Sequence, residues 1–578
     1  MALLNTLGKI LESIVAARLS WALEHHGLLP KTHMGGRKLI SVDHAIQMVI
    51  DRIRKAWGIG DKVTMLLMDI SGAYDNVAHQ RLVHNLKLLR LGHFAPWIGS
   101  FLSKRATQLS MTGVISPRFP TPTGIPQGSL ISQILFLIYS TPLIQALTKA
   151  TNPRITPFGW VDDTCMVVSS ESYAANIKAM ERALQKAHAW SLKHASKFAP
   201  DKFQMIHFTN PNAEPDDDDY STDSEPSDIW EPPRPSRGND QMGATYPDGT
   251  EIKPVDSAKY LGVWLDKSLT FKAHRAKQMV KANGSLDALW KITGSTWGPS
   301  LHAMRLVYQV VVIPQLLWGA SAWYTPRNMD AVTRNQLVGQ LTRIQKRAAI
   351  IISGASKSTA AAALDIELHL LPMNLQLQKV TEEAAIRVRT GPRWACPTLT
   401  ERRPRETRLG GLTPLEAFTR GHQGVLKLER DQERETRQAY VVAPWETTIQ
   451  TQVQPPEGVL QLHDTTCRGD PTPQHAVYYT DGSGYQGHIG GSAVSFRGAD
   501  RARLQQYLGT ERDASVYAAE LSGIQMALED VRRQIPLGGP ETQGTQPRTV
   551  SIFSDSQAGI RAISKPGRPS GQYLLRGI

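Results

Sequence analysis

Two adjacent aspartates, Asp162 and Asp163, lie between two runs of apolar residues, and this short pattern constrains the fold more than any other in the chain. Two residues between extended apolar runs are typical of a tight β-hairpin, so the pattern predicts both carboxylates at a hairpin tip. A second strand is predicted at Thr64–Met68, and it ends at Asp69. Carboxylates brought together from these two segments would form a site for divalent cations.

Size and charge narrow the function classes. A chain of 578 residues is long enough for several domains. Its net charge of +13 indicates an anionic partner, most simply nucleic acid, and a basic surface that serves solubility explains the charge equally well. The three cysteines are far apart, which favours a reducing compartment over a disulfide framework. We predict no membrane partner, because no apolar run reaches the roughly 18 residues needed to span a bilayer.

The pattern along the chain predicts an α+β fold. Strand-like and helical segments alternate over residues 60–208. Residues 210–232 hold nine acidic residues and no basic one, so we predict a disordered or looped insertion over 210–250. Residues 270–390 are mostly helical, with basic stretches at 271–291 and 331–364. These stretches suit a phosphate-backbone track, although a solvated helix face is the alternative.

Five segments in order resemble motifs A to E of reverse transcriptases. They are Leu66–Asp75, Gly124–Ser132, Gly159–Asp163, Phe198–Phe208 with Lys202, and Lys259–Asp266. Three further segments, Leu3–Glu12, Leu28–Arg37 and Ile344–Ala355, look like the enzymes of non-LTR (LINE-type) retroelements. The resemblance covers about residues 1–390 and implies a right-hand polymerase with fingers, palm and thumb.

The resemblance also implies a two-metal site that uses Mg²⁺, with Mn²⁺ as an alternative. Asp69 and Asp162 would bridge both ions, Asp163 would be a weaker ligand, and the Ile70 carbonyl would complete one shell. Motif C departs from the family pattern at Val161, where the usual residue is alanine; a β-branched valine suits a strand.

Further residues of the motifs imply contacts with a deoxynucleoside triphosphate. Tyr74 would exclude a 2′-hydroxyl, or else it is a core tyrosine. Gln127 and Gly128 would lie along the nucleotide. Lys202 would neutralise or protonate the leaving pyrophosphate, or else it is an exposed lysine without a role. Arg37 would touch the template or the triphosphate.

The C-terminal residues 476–578 resemble ribonuclease H. A strand ends at Asp481 before a Gly-rich turn, a second strand and a helix with Glu520 at the edge of its apolar stripe follow, and another strand ends at Asp555. By resemblance, these three carboxylates would hold two Mg²⁺ ions. The histidine loop and final aspartate of the family are missing, so we predict an incomplete domain, and the chain resembles a fragment shortened at both ends.

The sequence thus predicts an RNA-directed DNA polymerase that binds an RNA template, a DNA primer and an RNA–DNA hybrid. Alternatives are the same fold acting on another template, and a catalytically inactive nucleic-acid-binding remnant. The resemblance implies an intracellular, nuclear location. The predicted regions are partial fingers at 1–58, a palm at 59–269, a helical thumb or connection at 270–390, a linker at 391–474 and an incomplete α/β ribonuclease H-like domain at 475–578.

Overall fold

The computed structural model of the chain divides into two compact units, Met1–Gln432 and Glu433–Ile578. The structure describes residues 6–148, 154–211, 242–294, 297–325, 329–395, 415, 435, 437–445, 449–467, 475–497, 500–533, 549–566 and 571–578.

The first unit combines helices with short and long strands. Its helices are α1 Thr6–His25, α2 Val42–Gly58, α3 His79–Leu88, α4 Ala95–Leu102, α5 Ser132–Thr148, α6 Tyr173–His194, α7 Lys272–Lys291, α8 Leu301–Val307, α9 Ile313–Leu316, α10 Ala320–Trp323, α11 Ala331–Ser353, α12 Ala361–Glu367 and α13 Met373–Arg389. Its strands are β1 Lys62–Met68, β2 Ile70–Ser71, β3 Ala106–Thr107, β4 Ser110–Met111, β5 Val114–Ile115, β6 Phe119–Pro120, β7 Arg154–Trp160, β8 Asp163–Ser170, β9 Lys197–Phe198, β10 Gln204–Phe208, β11 Ala244–Thr245, β12 Glu251–Ile252, β13 Ser257–Tyr260 and β14 Val263–Asp266.

The central sheet of this unit is antiparallel, in the order β10-β1-β8-β7. Side chains alternate along a strand, so Met65 packs into a core shared with α2, whereas Leu66 packs into a core shared with α5 and α6. Burial of both faces explains why β1 is an almost continuous apolar run. The helices therefore hold the sheet from both sides and leave its strand ends to carry polar groups.

The N-terminal helix differs from its predicted packing. Helical spacing of apolar residues predicts one buried face that includes Leu11, Ile14, Val15 and Leu19. Val15 and Leu19 are buried, but Leu11 and Ile14 are 51% and 47% exposed. The helix instead turns Glu12 inward. An amphipathic pattern thus located the helix but did not identify its buried face.

The predicted insertion over 210–250 is too long at its C-terminal end. Residues 212–241 lie outside the described part of the chain, but β11 and β12 form a short hairpin within the range assigned to the insertion and just beyond it. Tyr246 in this hairpin is buried, and its hydroxyl lies 3.1 Å from Nδ1 of His188 on α6. The apolar residues after the acidic run therefore belong to the folded unit.

Helices α7 to α13 make up the remainder of the unit's described elements, as predicted for 270–390. One stretch, Leu301–Trp323, is long and apolar enough to cross a membrane by length and composition, and half of it is buried within the fold. Helices in the core of a protein pass the same test, because they are apolar where they pack against other parts of the fold.

The second unit is a four-stranded sheet with helices. Its helices are α14 Pro456–Cys467, α15 Val516–Arg533, α16 Gln557–Ser564 and α17 Gln572–Leu575, and its strands are β15 His475–Tyr485, β16 His488–Arg497, β17 Asp500–Thr510 and β18 Thr549–Ser554. The order is β17-β16-β15-β18, with β18 parallel to β15 and the other pairs antiparallel. The sequence predicted two strands before the helix, whereas the structure has three.

Neighbouring residues of β15 pack on opposite faces of this sheet. The Tyr478 hydroxyl donates a hydrogen bond to Asp530 of α15 (2.6 Å), and the Tyr479 hydroxyl lies 2.7 Å from Nε2 of His463 on α14. Helix α14 falls inside the segment predicted as a linker, 391–474. That segment therefore contributes a packed helix to the second unit, and residues 396–414 of it lie outside the described part of the chain.

Candidate metal centres

The first candidate centre lies at the turn between β7 and β8. Trp160 pairs with Asp163, so the two turn residues are Val161 and Asp162, one position earlier than predicted. Val161 has a φ of 56°, in the left-handed region that disfavours a β-branched residue. The expectation that this valine belongs to a strand is therefore wrong, and only Asp162 lies at the tip.

A loop after α1 supports this turn from below. The Met34 amide donates a hydrogen bond to the Gly159 carbonyl (2.8 Å), and the Gly159 amide donates to Thr32 (3.0 Å). A Cβ on Gly35 would lie 2.3 Å from the backbone nitrogen of Val161, so only glycine permits this close approach. The pairing compensates for the strained turn by holding it from a second chain segment.

The pairing of β1 with β8 brings Asp69 and Asp163 together. Their ladder ends at Met68 opposite Thr164, so the next residues, Asp69 and Asp163, face each other beyond the last pair. Partial burial raises the pKa of Asp163, and the charges of Asp162 and Asp69 raise it further. Three carboxylates from the two predicted segments thus act on one another electrostatically.

Lys202 lies beside this acidic group. It ends the short 3₁₀ turn Pro200–Lys202, and its Nζ is 3.6 Å from Oδ2 of Asp69. The turn is fixed because the Ala199 amide donates a hydrogen bond to the Asp69 carbonyl (3.1 Å). Ile70, the predicted carbonyl ligand, is buried and pairs with Phe198 in the β2–β9 ladder.

Tyr74 lies on the same side of the sheet. Its ring stacks on Phe136 of α5 at a centroid distance of 5.4 Å. Burial and the nearby Asp162 charge raise the pKa of Tyr74 to about 12, so the phenol is neutral at physiological pH. The aromatic ring is thus fixed next to the acidic group, which agrees with both a gating and a packing role.

Motif B forms a loop that we call the motif B loop, Gly124–Ser132. Gln127 and Gly128 are exposed at its bend, whereas Ser129 is buried. The Ser129 hydroxyl donates a hydrogen bond to the carboxylate of Glu12 on α1. Glu12 was not predicted to belong to the site. The feature that could have pointed to it is an acidic residue placed among the apolar residues of α1.

Arg37, predicted to touch the template or the triphosphate, is engaged within the protein. Its guanidinium is buried and forms two 2.7 Å hydrogen bonds with Glu24. It also donates to the Pro30 and His33 carbonyls, and it stacks over the Trp394 ring at 4.1 Å. In this structure the guanidinium clamps Glu24 to the loop after α1, and its predicted contact with template or triphosphate stays a prediction.

The second candidate centre belongs to the second unit. Asp481 lies within β15 rather than at its end, because the Gly-rich segment continues the strand to Tyr485. In the parallel pair, Thr480 is opposite Ser554, so Asp555 follows beside Asp481. A Cβ on Gly482 would lie 2.4 Å from the backbone nitrogen of Glu520, and this glycine lets α15 approach the sheet closely.

Three carboxylates come together here, with oxygens that lie within 4.8 Å of one another. Among the described residues, this cluster consists of Asp481, Glu520 and Asp555. Glu520 is 8% exposed, and its Oε2 atom has no hydrogen-bond partner. Burial raises the pKa of Glu520, and Asp555 and Asp481 raise it further, against hydrogen bonds from Gly482 and Ser554. A buried carboxylate oxygen aimed at two other carboxylates fits a hard divalent cation.

The carboxylate donors of the first centre suit the same kind of ion. Among the described residues, Asp69, Asp162 and Asp163 do not form a carboxylate group as close as that of the second centre, and Asp69 is paired with Lys202. The six predicted acidic residues therefore fall into one close cluster in the second unit and one looser group in the first. The metal roles of these six residues stay predictions.

A family model described as reverse transcriptase (RNA-dependent DNA polymerase) matches residues 1–265. The chain is 21% identical over 385 residues to a probable RNA-directed DNA polymerase from transposon X-element of Drosophila melanogaster, covering 66% of this chain and 38% of the relative. It is 21% identical over 393 residues to the RNA-directed DNA polymerase from mobile element jockey of the same organism (68% and 39%). The chain thus spans about two fifths of the length of these relatives.

Similarity extends to a third relative and, weakly, to a solved structure. The Pol polyprotein from type-1 retrotransposable element R1 of Bradysia coprophila is 22% identical over 331 residues (56% of this chain, 29% of the relative). Apo telomerase from Candida tropicalis is 12% identical with a TM-score of 0.30, covering 66% of this chain and 57% of that one, which does not establish a common fold. Residues 1–265 therefore match the reverse transcriptase family, and the chain is similar to the RNA-directed DNA polymerases of LINE-type, non-LTR retrotransposons.

Proposed function

We propose that the first unit extends a DNA primer along an RNA template, using deoxynucleoside triphosphates and Mg²⁺ or Mn²⁺. The observation that carries the proposal is the meeting of Asp69 and Asp163 at the end of the β1–β8 ladder, beside Asp162 and Lys202. Bound divalent ions supply activation of the primer 3′-hydroxyl and neutralisation of the pyrophosphate. The protein's part is to hold them with Asp69, Asp162 and Asp163.

Lys202 supports the chemistry from the side of Asp69. Its side chain is 64% exposed, so the ammonium group can swing from the carboxylate toward a leaving group. An ammonium group in that position either neutralises the pyrophosphate or donates a proton to it. Held at 3.6 Å from Asp69, the lysine also balances part of the acidic charge when no ion is bound.

Tyr74, Gln127 and Gly128 form the proposed nucleotide pocket. The Ile125 amide donates a hydrogen bond to the Tyr74 carbonyl (2.8 Å), which ties the motif B loop to motif A. The stacked Tyr74 ring would clash with a 2′-hydroxyl and thereby select deoxynucleotides. Gly128, with a φ of 107°, presents backbone rather than a side chain to the nucleotide.

The template–primer duplex is proposed to bind along α7 and α11. Lys272, Lys277 and Lys281 of α7 are exposed. The Arg347 guanidinium of α11 forms an ion pair with Asp287 of α7, so the two helices lie side by side. Exposed cations on adjacent helices can neutralise successive phosphates.

We propose further that the second unit acts on the RNA strand of an RNA–DNA hybrid, as its resemblance to ribonuclease H implies. Support comes from the mixed sheet with parallel β18, from the close approach of α15, and from the buried Oε2 of Glu520 facing Asp481 and Asp555. Divalent ions held by these carboxylates would activate water against the RNA backbone.

The direct test is primer extension on matched RNA and DNA templates, with Mg²⁺, with Mn²⁺ and with a chelator. We expect extension on RNA that requires a divalent ion. Binding of template–primer without extension would contradict the proposal and support an inactive nucleic-acid-binding remnant. Hydrolysis of a labelled hybrid in the same reactions tests the second unit separately.

A further inference from the structure

The motif B loop is anchored at two points. At its start, the Ile125 amide donates to the Tyr74 carbonyl (2.8 Å) and the Gly124 amide donates to the Val77 carbonyl (2.9 Å). Four residues after Ile125, the Ser129 hydroxyl donates to Glu12 of α1. Only three residues, 126–128, lie between these anchors, and they include the exposed bend proposed to contact the nucleotide.

The Glu12 anchor is buried. Glu12 is 4% exposed and Ser129 is 6% exposed. Burial lowers the pKa of Arg105, and the Glu12 carboxylate acts in the opposite direction, so the two opposite charges attract each other. Arg105 in turn lies over the Phe101 ring at 5.0 Å, and its carbonyl accepts a hydrogen bond from the Thr121 amide (2.9 Å). One carboxylate thus joins α1, the motif B loop and the strand segment that leads into it.

Burial of a carboxylate costs desolvation free energy, so a carboxylate that joins three segments needs an explanation. An apolar side chain of similar volume is often neutral or stabilising at such a position, whereas a buried charge imposes geometry on its partners. Helix α1 already exposes Leu11 and Ile14, so its orientation does not follow from burying the most apolar face. The orientation does bring Glu12 to Ser129.

We propose that Glu12 is a positioning residue that holds the motif B loop in the conformation that receives the incoming deoxynucleoside triphosphate. This inference rests on the proposed polymerase function. It extends the nucleotide pocket to the N-terminal helix, which contributes no group to the pocket itself. Loss of the anchor leaves the carboxylates and Lys202 in place and relaxes the bend at Gln127 and Gly128.

The test compares Glu12→Ala, Ser129→Ala and the conservative Glu12→Gln in single-nucleotide incorporation. We expect the two alanine variants to raise KM for the nucleotide about tenfold with kcat within about twofold, because a hydrogen bond to a buried charge is lost. The double alanine variant should be no worse than either single variant. Glu12→Gln keeps an acceptor for the Ser129 hydroxyl and should recover most of the loss. The matched control is Ser13→Ala, whose hydroxyl bonds within α1 at the Ile10 carbonyl.

A second measurement does not depend on activity. We expect hydrogen exchange of the amides in 124–132 to be faster in Ser129→Ala than in the parent and unchanged in Ser13→Ala. Unchanged amide exchange in Ser129→Ala overturns the inference. A rise of KM in the control Ser13→Ala as large as the rise in Ser129→Ala also overturns it. Faster exchange in a protein that never extends a primer supports the anchor and contradicts the polymerase function instead.

Discussion

The two acidic centres solve the same electrostatic problem differently. In the first unit, the carboxylates come from a strand end and an exposed turn, and Lys202 balances Asp69. In the second unit, Glu520 is carried by a packed helix and its Oε2 is buried without a hydrogen bond. At the first centre, water screens the repulsion between the carboxylates. At the second centre, packing of the helix holds the carboxylates close despite their repulsion. Packing therefore preforms the close carboxylate cluster of the second unit, whereas the acidic group of the first unit stays looser and partly open to water.

The strongest way to break the comparison is to disable the first centre. Asp162→Asn keeps the shape of the turn and removes one charge, and we expect primer extension to fall about a thousandfold, equivalent to about 4 kcal/mol in the barrier. Template–primer affinity, measured by fluorescence anisotropy, should stay within about twofold, because phosphate contacts dominate it. The control is Asp75→Asn, an exposed aspartate of motif A. Extension at the parental rate by Asp162→Asn would remove the metal role.

Sugar selection sharpens the account of the first centre. Tyr74→Ala deletes the ring stacked on Phe136, and we expect discrimination against ribonucleotides to fall at least about tenfold. Tyr74→Phe keeps the ring and should keep the discrimination, which separates a steric gate from a role of the hydroxyl. Competition between ribo- and deoxynucleotides measures both. Equal discrimination by all three proteins would leave Tyr74 as a packing residue.

Stability tests the preformed character of the second centre. Glu520→Gln removes a buried charge close to Asp481 and Asp555. We therefore expect the free energy of unfolding of this unit to rise by about 1 kcal/mol in the metal-free protein. Mn²⁺ should stabilise the parent and have little effect on the variant. Thermal unfolding with and without Mn²⁺ measures both. The outcome against this idea is equal stabilisation of parent and variant by the ion.

The pH dependence follows from the same residue. The pKa of Glu520 is raised above its ordinary value of 4.5 by burial and by its acidic neighbours. The folded state therefore binds the proton more tightly than the unfolded state, and stability decreases as the pH rises from about 4.5 through the raised pKa. We expect Glu520→Gln to remove part of this decrease in metal-free buffer. Parallel pH profiles of parent and variant would show that Glu520 does not titrate in this range.

The smallest expected effect concerns the basic helices. Lys281→Gln removes an exposed cation of α7, and we expect the slope of log affinity against log salt to become shallower by about 1. Between 50 and 200 mM salt, this corresponds to about fourfold in affinity. Arg347→Gln is the matched comparison, since its charge is already paired with Asp287. A salt response that is flat in the parent would exclude a phosphate track.

Local pattern predicted much of both units. Strand β1, the β7–β8 hairpin and the helix with Glu520 follow from apolar periodicity, which reports burial wherever one face is covered. Strand β17 was missed because it is the edge strand of its sheet, and residues such as Tyr507 on it are exposed. An edge strand with little burial has no alternation to read.

The sequence alone determined which strand segments carry the carboxylates, because apolar runs beside Asp69, Asp162 and Asp555 mark those strands, although it misplaced the strand end at Asp481 and the turn by one residue. Tertiary structure alone decided the partners of each charge. In the folded chain, Arg37 pairs with Glu24, Lys202 with Asp69, and Ser129 with Glu12. The two residues of each pair lie 13, 133 and 117 positions apart in the sequence. The physical reason is that burial and charge pairing are properties of the packed chain, so an isolated segment shows a charge but not whether water or another residue neutralises it.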